Sequence, residues 1–68
     1  MSEIIFVVDE APEGGFIARA LGHSIFSEAD TEASLHDQIR DAVRCHFGEE
    51  ECPKVIRIHH TKEEIIAA

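Results

Sequence analysis

Cys45, His46, Cys52, His59 and His60 are the residue types that hold zinc tetrahedrally through thiolate and imidazole. Their spacing argues against such a site. The cysteines form a Cys-x6-Cys pair with no CxxC turn to bring two thiolates together, so packing and surface positions are the expected roles. Adjacent Cys45 and His46 would diverge by about 100° on a helix, which prevents a nucleophile–base pair between them. A second set, Asp9, Glu10, Glu28 and Asp30, falls at predicted strand ends, where a metal-dependent nuclease would gather acids around magnesium. The same acids suit turn starts and a helix cap. Glu13-Gly14-Gly15-Phe16 joins two predicted strands and does not lead from a strand into a helix, so it is no phosphate loop. Glu49 to Glu51 reads as a solvated loop or as an acidic contact for a basic partner.

Whatever positions these residues is one small domain, since the chain has 68 residues. Its 44% hydrophobic and 29% charged content is that of a folding sequence. A formal net charge of −8 repels phosphate backbones and anionic lipid, so direct nucleic-acid binding is not expected. Residues 1–34 carry most of that excess, and a partner of this pole would be basic. Two cysteines make no disulfide framework, and the apolar run Ile4 to Val8 is too short for a signal sequence or a membrane span. A cytoplasmic protein is expected, with no cofactor, no metal and no membrane contact.

Nine isoleucines and four valines against two leucines favour a sheet. Residues 3 to 8 form an unbroken apolar run, as a central strand would. The chain reverses through Asp9 to Gly15, and Phe16 to Leu21 alternates as a second strand. Gly22-His23 reads as a short hairpin connection into a third strand over residues 24–27. From Asp30-Thr31, the positions Leu35, Ile39, Ala42, Val43 and Phe47 recur at helical spacing, with Gly48 expected just past the end. Lys54 to His60 is a fourth strand, expected to pair parallel with the first after the helical crossover. Residues 61–68 fit an edge strand, a helical fragment or a dimer-forming arm.

The expected fold is therefore α+β, a β-β-β-α-β two-layer domain with an antiparallel three-strand meander, one helix and a fourth strand. One face of its sheet has no cover, and Ile5, Val7, Ile17, Leu21 and Val55 fall on it, so a homodimer or higher oligomer is expected.

The segment DEAPEGGFIARALG, followed by ADT and a helix containing IRDAV, resembles the HicB-like antitoxin domain over about residues 4 to 60. The resemblance rests on the ordered set Asp9, Glu10, Glu13, Gly14, Gly15, Phe16, Ala18, Leu21, Gly22, Asp30, Thr31 and Ala42. It implies a fold similar to a truncated ribonuclease H-like core. It also implies a non-enzymatic module that masks a HicA-like toxin, a small basic ribonuclease, with Asp9, Glu10 and Glu13 as the expected contacts. Longer members of that family continue into a DNA-binding segment, which residues 1–68 do not contain. The alternatives are a metal-dependent nuclease of reduced ribonuclease H type and an orphan homo-oligomer.

Overall fold

The computed structural model describes residues 2–62 and 64–68, and Glu63 of the C-terminal stretch 61–68 lies outside them. The elements run β1 (Glu3–Glu10), β2 (Phe16–Ala20), β3 (Phe26–Ala29), α1 (Glu32–Glu51) and β4 (Val55–His60). They form an α+β domain whose four-stranded mixed sheet has the order β3-β2-β1-β4. β1 pairs antiparallel with β2 and parallel with β4, so the unbroken apolar run is central, as its composition requires.

The helix takes its place by burying one stripe against one sheet face. Leu35, Ile39 and Val43 meet Ile4, Phe6, Val8, Ala18, Ala20 and Ile25 in the core. Burial of each large side chain contributes roughly 1.5–3 kcal/mol, which explains why the alternation along β1 is strict on this side. Ala18 and Ala20 lack bulk, and this lets the helix approach β2 and β3 closely. Thr31 caps α1, its Oγ1 accepting the Ser34 N–H at 3.2 Å.

Three expectations shift. The connection from β2 to β3 is the five-residue stretch 21–25, not a two-residue hairpin, and β3 begins at Phe26. Ile25 explains the difference: its side chain plugs the core before pairing starts, while its carbonyl accepts the Ala20 N–H at 3.0 Å. Gly48 has the expected positive φ of 75°, yet Glu49 to Glu51 add a further helical turn beyond it and are not a loop. Residues 61, 62 and 64–68 adopt neither strand nor helix. Among the described residues no helix is long and apolar enough to cross a membrane.

Candidate protein interface

Strand alternation decides which residues face away from the helix. Side chains paired in register share a face, so Asp9, Ile17 and Glu28 form one row across β1, β2 and β3 on the open side. Val7, Arg19, Phe26 and His59 form the next row. Phe26 is 72% exposed, and Ile17, Leu21 and Val55 are also exposed. Ile5 and Val7 are half-buried beneath them. The open face thus carries exposed apolar side chains around Arg19, with further charges along its margins.

Acids gather at one end of the sheet. β1 ends in Asp9 and Glu10, the turn of residues 11–15 carries Glu13, and β3 brings Glu28 alongside and leads to Asp30. The turn closes through the Ala11 N–H to the Gly15 carbonyl at 3.0 Å and the Gly14 N–H to the Ala11 carbonyl at 3.0 Å. Gly14 and Gly15 both take positive φ there, which side chains rarely adopt. Glu13, Glu28 and Asp30 line a shared open groove with Phe16 and Ile17.

Among the described residues, none of the ion pairs involves Glu10, Glu13, Glu28 or Asp30. Asp9 differs, because it accepts a hydrogen bond from the Thr61 hydroxyl. Two of the three expected contacts, Glu10 and Glu13, are therefore exposed, and Asp9 is partly engaged by its own chain.

The candidate metal ligands are scattered. Cys45 is exposed on α1, Cys52 is half-buried beyond the helix end, and both are free thiols. His59 faces the open side, whereas His60 lies 3.7 Å from Glu32. His46 packs edge-on against Phe47 and against His23, with ring centres 4.8 and 5.8 Å apart. Among the described residues no three His, Cys, Asp or Glu side chains stand where they could hold one metal ion. Sequence reasoning passed over His23, which also packs on Phe47 at 5.0 Å and fastens the 21–25 connection to the end of α1. A polar residue after Gly22 gave no signal of that contact.

It also missed a cationic groove on the opposite side, between α1 and β4, where Arg40, Arg44 and Lys54 surround Ile56 and Ile58. Arg40 and Arg44 lie one turn apart on α1 and Lys54 just before β4, so only the fold brings the lysine to the two arginines.

No protein-family model matches this chain, and no solved structure matches it. It is similar to a UPF0150 protein of Archaeoglobus fulgidus, with 50% identity over 52 residues that cover 76% of this chain and 77% of the relative. It is also similar to a UPF0150 protein of Thermotoga maritima, with 40% identity over 65 residues, 96% of this chain and 91% of that protein.

Proposed function

This chain belongs to the UPF0150 family, and we propose that it is a non-enzymatic binding module whose open sheet face and acidic margin cover a basic protein. The observation that carries this reading is the row Asp9, Ile17, Glu28 with Glu10, Glu13 and Asp30 at the same end. Exposed apolar side chains bordered at one end by acids suit a partner that is basic where it meets that end: the apolar side chains supply affinity, and the acids supply orientation and association rate. The HicB-like pattern in residues 4 to 60 directs the proposal to a HicA-like toxin, a small basic ribonuclease, and hence to an antitoxin-like role in the cytoplasm.

Co-expression tests it. The chain should relieve growth arrest caused by a HicA-like ribonuclease, and the Glu13→Lys/Glu28→Lys variant should fail to do so while keeping the wild-type circular dichroism spectrum. Failure of the wild-type chain, or full relief by the variant, would count against the proposal. Magnesium-dependent RNA cleavage that disappears on Asp9→Asn would replace it with the nuclease reading.

A further inference from the structure

The helix layer stops short of the last strand. α1 lies over β2 and β3, and none of its Cα atoms comes within 8 Å of one in β4. Among the described residues, β4 has β1 on one side and no strand on the other. The Val55 N–H reaches the Ser2 carbonyl at 3.0 Å and the Thr61 N–H reaches the Val8 carbonyl at 2.9 Å. By alternation, Arg57 and His59 also turn their backbone groups toward β1, while Ile56, Ile58 and His60 turn theirs outward. Those outward groups are a template for one more strand.

This edge is also where the chain reverses its sign. Fourteen acids outweigh six bases overall, yet residues 54–62 hold Lys54, Arg57 and Lys62, with His59 and His60, and no acid. Across the groove, α1 contributes His36, Arg40 and Arg44, which recur every four residues and so follow one face of the helix turn by turn. Three acids of the flanking elements already face a cation or an imidazole: Asp37 meets Arg40 at 2.7 Å, Glu3 meets Arg57 at 2.9 Å and Glu32 lies 3.7 Å from His60. Among the described residues, Arg44 and Lys54 take part in no ion pair, and both are exposed. A lysine on an edge strand can serve simply to keep other chains away. Arginines on the facing helix do not serve that purpose, and with the lysine they select a guest by its sign.

We propose that the free edge of β4 takes an extended acidic segment of another protein as an added strand. Main-chain bonds to Ile56, Ile58 and His60 supply affinity, and alternate side chains supply specificity. On the helix side, glutamates of the guest meet Arg44 and Lys54 while their methylene stems cover the half-buried Ile56 and Ile58. On the other side, aliphatic residues of the guest continue the open face outward from Val55, which is 49% exposed. β4 runs parallel to β1, so Lys54 lies at the end of the sheet opposite Asp9 and Glu10. Screening over about 8 Å at physiological salt keeps those acids from repelling the guest.

Titration of the isotope-labelled full chain with a blocked peptide of alternating glutamate and valine, about as long as β4, tests this by NMR. Amide shifts should concentrate at Ile56, Ile58 and His60 and saturate with a dissociation constant of about 0.1–1 mM. The same three amides should exchange more slowly in the complex. Arg44→Glu/Lys54→Glu should weaken binding by about tenfold or more with an unchanged urea midpoint, because both side chains are exposed. Methylating the peptide nitrogens of either the glutamates or the valines strips the donors from one edge of the peptide, so one of these two forms should lose binding although both keep their charge. Absence of shifts at millimolar peptide overturns the proposal, as do equal shifts from a lysine–valine peptide, affinity indifferent to Arg44→Glu/Lys54→Glu, or binding by both methylated forms. Protection of the three amides that rises with protein concentration in peptide-free samples would give the edge to a second copy and overturn it too. None of these variants touches Asp9, Glu10, Glu13 or Glu28, so failure here is distinct from failure at the acidic end of the sheet.

Discussion

A side-chain carbon placed on Gly15 would stand 2.8 Å from the backbone carbonyl oxygen of Ala29. This approach seats the first turn against the end of β3, and so brings Glu13 next to Glu28 and Asp30. Gly14 has a similar positive φ, but nothing lies within 4 Å of the same position. Gly14→Ala should therefore cost only the left-handed strain of about 1–2 kcal/mol. Gly15→Ala should cost more, because backbone has to move as well. Urea unfolding of the two variants gives the comparison, and equal midpoints would contradict the packing described.

Leu35 is fully buried and Phe26 is 72% exposed, although both are large apolar residues. Leu35→Ala should cost about 2–5 kcal/mol, comparable with the total stability of a small domain, and should leave the chain largely unfolded. Phe26→Ser should cost under about 1 kcal/mol, since it loses only strand preference. Circular dichroism melts of both variants provide the check. A large loss at Phe26 would mean that the open face is covered in solution.

Arg57 donates from Nε to Glu3 Oε2 at 2.9 Å, across the parallel pair β1 and β4. The hydrogen bond to Glu3, and then the attraction of its charge, raise the arginine above its usual value. A cation with a raised pKa contributes stability that is present below the unfolded value and is lost as pH rises through the folded one. For Arg57 that window lies in strong alkali. The difference in urea midpoint between wild type and Arg57→Met should thus be the same at about pH 7 and about pH 10. A difference that disappears across that interval would assign the contact to another group.

Much of this fold was legible because single residues stated their roles. The β-branched run of β1, the alternation of Phe16, Ala18 and Ala20, and the Thr31 cap each have a local physical cause that sequence displays. Parallel pairing of β4 with β1 followed from the helix between them. The start of β3 did not, because Ile25 carries a strand-like side chain yet acts as a core plug in a connection. Glu49 to Glu51 follow a glycine, which reads as a helix stop, yet Gly48 only bends the helix and the three acids continue it. Clustering of Asp9, Glu10 and Glu13 was visible in the hairpin. The addition of Glu28 and Asp30 depended on the register of β3, and the groove of Arg44 and Lys54 on tertiary structure alone.

The acidic margin is the centre of this account, and calorimetric titration of the purified chain into a HicA-like ribonuclease at two salt concentrations tests it most directly. Binding should weaken as salt rises, and Glu13→Lys/Glu28→Lys should reduce affinity by about tenfold or more. Affinity indifferent to both salt and charge reversal, or no binding by the wild-type chain, would contradict it.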